Sequence, residues 1–250
     1  MKAHTKHRLL KILLTGAALL VLFSPLYMYF SHDVEALNRW YPHNISSSGE
    51  PLYELKPGKP KGWVRINEIS KSAKGAIVIS EDWAFYQHQG IDVNQLKTAV
   101  QEILTFERFR GASTITQQMV KNVFLSSDRT ISRKIHELIL THKVEQVLAK
   151  DKILEVYLNC IEFGPDIYGI REASYHYFKK HPSALTPRES AFLAMLLPSP
   201  KGYYISFKNK KLTPFATKRI KTILTKMRMG KVIGPERFNS EVSRKFFWEK

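Results

Sequence analysis

Residues 111–121 read Gly-Ala-Ser-Thr-Ile-Thr-Gln-Gln-Met-Val-Lys, a run in which hydroxyls, two amides and a cation stand where a plain core helix would carry aliphatics. Helical spacing puts Ser113, Gln117 and Lys121 at i, i+4 and i+8 on one face, with Gln118 at its border. Hydroxyl, amide and ammonium on one stripe suit a phosphate or a sugar. They also suit an ordinary solvated helix face.

The surrounding pattern is helical. Val93, Leu96, Val100, Ile103 and Leu104 recur at helical spacing after Gly90, with Asp92 as a cap. Ile135, Leu138, Ile139, Val147 and Leu148 predict one long helix, and Ile153, Leu154, Tyr157 and Leu158 the next. Thr186-Pro187-Arg188-Glu189 is a capping box with proline at the first helical position, and Pro198 stops the helix it opens. The run Ala76-Ile77-Val78-Ile79 is too short to assign by period. Between Thr105 and Gly111, Phe106 and Phe109 alternate with Arg108 and Arg110, which fits a loop dipping into a membrane surface or a turn with two buried rings. No internal repeat and no alternating βα series occurs, which argues against Rossmann and P-loop architectures. The expected fold class is mainly α.

The chain has 250 residues, 39 Lys and Arg against 22 Asp and Glu, and a net charge of +17, so an acidic partner is expected: nucleic acid, anionic lipid or a phosphorylated substrate. The single Cys160 excludes an intramolecular disulfide framework. Residues 1–11 are a basic tail, and residues 12–30 carry no formal charge. At about 1.5 Å per residue that stretch spans roughly the 30 Å of a bilayer core, with the basic flank cytoplasmic and the bulk of the chain outside. The competing reading, a cleaved signal peptide, lacks a small-residue cleavage site: Ser24-Pro25 leads into Leu26, Tyr27, Met28, Tyr29 and Phe30. Residues 31–62, rich in Ser, Pro, Gly and Lys from Asn44 onward, read as a lead-in or linker; residues 63–235 as the globular domain; residues 236–250 as a tail. An outward-facing domain makes nucleic acid a poor partner.

Two further clusters carry chemistry. Glu81-Asp82 stands among Trp83, Phe85 and Tyr86, and aromatic burial lifts a carboxyl from about 4.3 toward neutrality, where it serves as a general base. A helix start would also place acids there. Arg129, Arg133 and Glu137 repeat the i, i+4, i+8 spacing. Two neighbouring arginines repel by a few tenths of a kcal/mol unless an anion lies between them, whereas an Arg133–Glu137 pair on a surface contributes only about 0.3–0.5 kcal/mol. A zinc-protease helix fails at His136-Glu137, because position 140 is Leu140, and neither a P-loop nor a Ser-x-x-Lys motif is present.

Taken in order, five motifs resemble the peptidoglycan glycosyltransferases. They are Glu81-Asp82-x-x-Phe85-x-x-His88-x-Gly90; Gly111-x-Ser113-Thr114-Ile115-Thr116-Gln117-Gln118; Arg133-Lys134-x-x-Glu137; Lys150-x-x-Ile153-Leu154-Glu155-x-Tyr157-Leu158-Asn159; and Gly164 and Gly169 followed by Ala173 and Tyr177-Phe178. The resemblance covers roughly residues 63–231, and with no transpeptidase sequence it points to the monofunctional type. It implies a lysozyme-like helical lobe beside a smaller membrane-associated lobe.

The chemistry it implies is polymerisation of lipid II: the 4-hydroxyl of an acceptor GlcNAc attacks the anomeric carbon of a lipid-linked donor, with inversion, expelling undecaprenyl pyrophosphate. Glu81 would be the general base. Glu137, the second catalytic position, would orient basic residues or a divalent ion. Ser113, Gln117, Gln118, Lys121, Arg129, Arg133 and Arg219 would bind substrate, with Lys121 and Arg129 stabilising developing charge. Glu155 and Asn159 read as structural. No tightly bound cofactor is implied beyond a divalent cation, Mg or Mn, at the pyrophosphate. Expected partners are lipid II, the growing glycan, anionic membrane lipids and other wall-synthesis or division proteins, at the inner membrane with the domain on the periplasmic side. One departure stands out: a basic residue is usual eight positions after the glycine of the first motif, and here that position is Thr98, preceded by Lys97. Two other functions share parts of this pattern, a membrane-anchored glycoside hydrolase and a non-enzymatic binder of anionic surfaces.

Overall fold

The computed structural model describes residues 27, 29–46, 49, 51–92, 113–126, 128 and 130–249. The expected membrane segment, apart from Tyr27, Tyr29 and Phe30, lies outside the described residues, as do Lys97, Thr98, Arg129 and the helix expected after Gly90. Among the described residues no helix is long and apolar enough to cross a membrane.

The expectation of a mainly helical chain holds. Among the described residues ten α-helices follow one another: α1 (Lys71–Glu81), α2 (Ile115–Phe124), α3 (Ile131–Val147), α4 (Lys150–Cys160), α5 (Ile170–Phe178), α6 (Pro187–Leu196), α7 (Pro200–Tyr203), α8 (Ile205–Lys208), α9 (Pro214–Met229) and α10 (Pro235–Ser243). Their starts are written in local chemistry. Ser70, Thr114, Thr130, Thr186 and Thr213 each accept a backbone N–H of the first turn through the side-chain oxygen, and Pro187 and Pro214 open α6 and α9. The predicted box at Thr186–Glu189 is present. All ten residues of α6 are buried, as its sequence Pro-Arg-Glu-Ser-Ala-Phe-Leu-Ala-Met-Leu, apolar on every side after the first turn, requires. α1 and α9 pack on α6, while α2 packs between α3 and α4. The short run 76–79 belongs to α1, whose end delivers Glu81.

Two stretches read as peripheral are part of the fold. In the lead-in, Val34 and Leu37 are fully buried, and Lys143 on α3 donates to the carbonyls of Tyr29 and His32 at 3.0 and 2.9 Å. A hairpin follows, β1 (Tyr41–Asn44) antiparallel to β2 (Tyr53–Lys56), and the Tyr53 hydroxyl donates to the Cys160 carbonyl at 3.0 Å. At the other end, residues 236–249 are no loose tail: α10 covers most of the first half, then Phe246 and Trp248 stack at 4.9 Å, and both rings meet Phe192 of α6. Burying two such rings contributes several kcal/mol, roughly 1.5–3 kcal/mol each, which is why the end of the chain is held. A second hairpin, β3 (Glu162–Gly164) with β4 (Ile167–Tyr168), links α4 to α5.

Candidate active site

The first motif divides its labour between Glu81 and its neighbour. Asp82 is buried; its Oδ1 accepts from His88 Nε2 at 2.8 Å and its Oδ2 from the backbone N–H of Ile115 at 3.0 Å. His88 Nδ1 accepts the Gly90 N–H, which leaves Nε2 to donate to Asp82. Gly90 sits at φ +85°, where a Cβ would lie 2.6 Å from Thr141 Cγ2, and its carbonyl accepts from Thr114 Oγ1 at 2.7 Å. These contacts pin the start of α2 to the end of α1.

Glu81 is partly buried at that junction. Its Oε2 accepts from Gln118 Nε2 at 3.2 Å, and Gln118 Oε1 in turn accepts from the Tyr157 hydroxyl at 3.0 Å, which fixes the amide's orientation. Burial pushes the Glu81 carboxyl above its ordinary range; the Gln118 hydrogen bond and the Arg219 guanidinium pull the other way without cancelling it, and the Asp82 charge adds to the rise. Arg219, on α9, donates to Ser80 Oγ at 3.4 Å and so stands beside Glu81.

Gln118 also lines a cleft of about 740 Å³ with Ser113, Lys121 and Asn122 on one side and Arg133, Lys134 and Glu137 on the other. α3 supplies the second wall. Glu137 is buried, its Oε2 accepting from Arg133 Nη1 at 2.7 Å and its Oε1 from Lys134 Nζ. Lys134 Nζ also reaches Ser113 Oγ at 3.3 Å, and Arg133 Nε donates to the Asp128 carbonyl. The Arg133–Glu137 contact, one of the two readings of this triplet, is therefore made on a buried carboxylate that Lys134 also pairs with. Each Glu137 oxygen thus accepts from one of the two cations. Among the described residues no group of three His, Cys, Asp or Glu could hold a metal.

The stripe expected from helical spacing is rotated. Thr114 caps α2, so Ser113 lies before the helix and enters the cleft from the preceding segment. Gln117 is buried and returns its Oε1 to the Thr114 N–H at 3.1 Å, closing a capping box; it does not line the cleft. The face presented is Gln118, Lys121, Asn122 and Leu125. Of the sequence candidates, Ser113, Gln118, Lys121, Arg133 and Glu137 meet in the cleft, Arg219 joins Glu81, and Arg129 is outside the described residues. Lys134 was missing from the candidates, although it stands inside the third motif.

Residues 48–228 match the transglycosylase family. The chain belongs to the transglycosylase family. It is 38% identical over 171 residues to a biosynthetic peptidoglycan transglycosylase of Nitrosomonas eutropha, covering 68% of each chain. It is 34% identical over 229 residues to a protein of the same name from Bordetella avium, covering 86% of this chain and 93% of that one. It is 45% identical over 141 residues to penicillin-binding protein 1F of Bacillus subtilis, which is 56% of this chain and 20% of the relative. Penicillin-binding protein 1A of Haemophilus influenzae aligns in structure over 82% of this chain and 21% of its own, at 16% identity and a TM-score of 0.39.

In this transglycosylase the fourth and fifth motifs are framework. Glu155 accepts from Trp63 Nε1 at 3.0 Å and from the Ile66 N–H at 2.9 Å, and Asn159 exchanges two hydrogen bonds with the backbone of Val64. Together they strap the segment before α1 onto α4. Gly169, at φ +82°, lies so close to the Asn159 carbonyl that a Cβ would stand 2.7 Å from it. Both residues read from the sequence as structural are placed structurally.

Proposed function

We propose that this transglycosylase polymerises lipid II into peptidoglycan glycan strands. The observation that carries the reading is the junction at Gln118: one side chain touches a carboxylate whose basicity burial has raised and lines a cleft walled by Lys121, Arg133 and Lys134. The relatives' names, biosynthetic peptidoglycan transglycosylase, support the substrate class. In the proposed step the acceptor GlcNAc O4 attacks the anomeric carbon of the donor and its proton passes to Glu81. The bond from that carbon to the pyrophosphate oxygen breaks, and configuration inverts. The departing undecaprenyl pyrophosphate takes the electron pair, its charge met by Lys121, Arg133, Lys134 and Arg129. Residues 12–30 would anchor the chain in the inner membrane, placing the domain on the periplasmic side among anionic lipids and other wall-synthesis proteins.

The full chain in detergent, given labelled lipid II, is expected to yield long glycan and undecaprenyl pyrophosphate, and to leave purified glycan intact. Shortening of glycan with no consumption of lipid II would replace this reading with hydrolysis.

A further inference from the structure

Away from the cleft, the start of α6 borders a smaller cavity of about 200 Å³. Its cationic lining is Lys180, Arg188, Arg244 and Lys245, and its apolar lining is Phe246 and Phe247. The cleft lies past the other end of the same helix, at Leu197 and Pro198, roughly 13 Å away at about 1.5 Å per residue. Four of the six lining residues come from the end of the chain, beyond the stretch 48–228 that matches the family. Arg188 is the buried cation, 9% exposed. Its Nη1 donates to the carbonyls of Glu241 and Val242 at 3.2 and 3.0 Å, and its guanidinium carbon stands 4.9 Å over the Phe246 ring. Those contacts fix the plane of the group. Nε is buried, and among the described residues nothing accepts from it or from Nη2.

The nearby carboxylates are committed elsewhere. Glu189 accepts from Lys180 Nζ at 2.7 Å and from the Thr186 N–H at 2.9 Å. Glu241 accepts from Arg237 Nη2 at 2.9 Å and from the Arg188 backbone N–H at 3.1 Å, and Glu249 from the Phe246 N–H at 3.2 Å. Burial disfavours the Arg188 charge, and Glu249 and Glu241 offset this only in part. A buried guanidinium with no carboxylate in contact is costly, and an anion set against it relieves that cost. The open edge, Nε with Nη2, is the flat two-donor fork that a carboxylate matches oxygen for oxygen. We infer that this cavity is a docking site for an acidic segment of a partner polypeptide. One Asp or Glu carboxylate seats on the Nε–Nη2 edge of Arg188, beside the exposed cations Arg244 and Lys245, and an apolar neighbour lies on Phe247, which is 68% exposed. Size and charge select this occupant. About 200 Å³ takes a side chain, short of the roughly 300–1,000 Å³ that houses a whole small ligand. Four cations against one lining carboxylate, itself paired, complement an acidic chain. The site is separate from the cleft and does not depend on what is polymerised there.

The test is binding of a fluorescein-labelled peptide, Gly-Ser-Phe-Glu-Asp-Phe-Ser-Gly, to the full chain in detergent, against a twin with Gln and Asn in place of Glu and Asp. The acidic peptide should bind about tenfold or more tightly than its twin. Arg244→Glu and Lys245→Glu together should weaken it about tenfold or more at low salt. Arg188→Lys should weaken it about as much, because it keeps the charge and loses the fork. The two rim changes fall on exposed side chains, so they carry the test if Arg188→Lys does not fold by circular dichroism. Polymerisation of lipid II by the rim variant should stay within about twofold of the parent, the cleft being untouched. Equal binding of the two peptides, or unchanged binding in either folded variant, would overturn the proposal. Displacement of the peptide by glycerol phosphate and not by acetate would also overturn it, making the cavity a lipid-headgroup site. So would a fall in polymerisation that matches the fall in binding, since the cavity would then serve the reaction itself.

Discussion

Gln118 donates to Glu81 at 3.2 Å, and through that bond the helix that walls the cleft holds the carboxylate at the end of α1. The amide cannot turn over without losing the Tyr157 hydroxyl from its oxygen, so Glu81 always meets a donor. A donor stabilises the ionised carboxyl, while burial destabilises it more.

The pH dependence follows with a definite sign. The rising limb of kcat/KM should lie above the ordinary glutamate range of about 4.3, because the base must lose a proton that burial retains. Gln118→Ala and Arg219→Ala each remove a group that favours the ionised form, so each should move the limb to higher pH. A limb that moves down in either variant would contradict the assignment.

The same shift bears on stability. A carboxyl whose folded pKa lies above its unfolded value holds more protons when folded, so it costs stability as pH rises from the unfolded toward the folded pKa. Glu81→Gln should therefore have a Tm above that of the parent at neutral pH, the gap closing as pH falls below the ordinary carboxyl range. Thermal melts across pH 4 to 8 check this.

Asp82 should behave differently from its neighbour. Asp82→Ala leaves the Ile115 N–H and His88 Nε2 without their acceptor in a buried place, a loss of about 3 kcal/mol in urea unfolding. Activity should fall as well, since the start of α2 is no longer held to Glu81.

On the facing wall, Lys134→Ala should lower kcat/KM by about a hundredfold, as removal of one charge-stabilising donor does, and lower Tm only modestly, because Arg133 still pairs with Glu137. Gln117→Ala should do the reverse: it loses a capping box and strands the Thr114 N–H, about 1–2 kcal/mol, with KM near the parent value. Steady-state kinetics and melts on the two variants separate a residue of the cleft from a residue of the frame.

Gln117 and Lys134 also show where sequence reading ends. Caps are local, so Thr186-Pro187-Arg188-Glu189 was legible, as were the long helices, whereas Trp83 and Tyr86, expected to bury Glu81, stand largely exposed. Which of two adjacent glutamines faces the cleft depends on where α2 begins, and one position on a helix turns the side chain by about 100°. Lys134 becomes part of the site only because Ser113 lies 3.3 Å away across the fold. The strands at Tyr41–Asn44 and Tyr53–Lys56 are four residues each, one containing Pro42, and their place depends on a distant carbonyl at Cys160. Phe246 and Trp248, alternating near the end of the chain, look like tail residues until Phe192 is set beside them.

The central claim is that Glu81 takes the acceptor's proton. Polymerisation of labelled lipid II by Glu81→Gln, with the fold verified by circular dichroism, tests it most directly. The variant should lose activity by a factor of about 10² to 10⁴ while still binding undecaprenyl pyrophosphate, because the cations of the cleft are untouched. Polymer formed at a rate near that of the parent would contradict it.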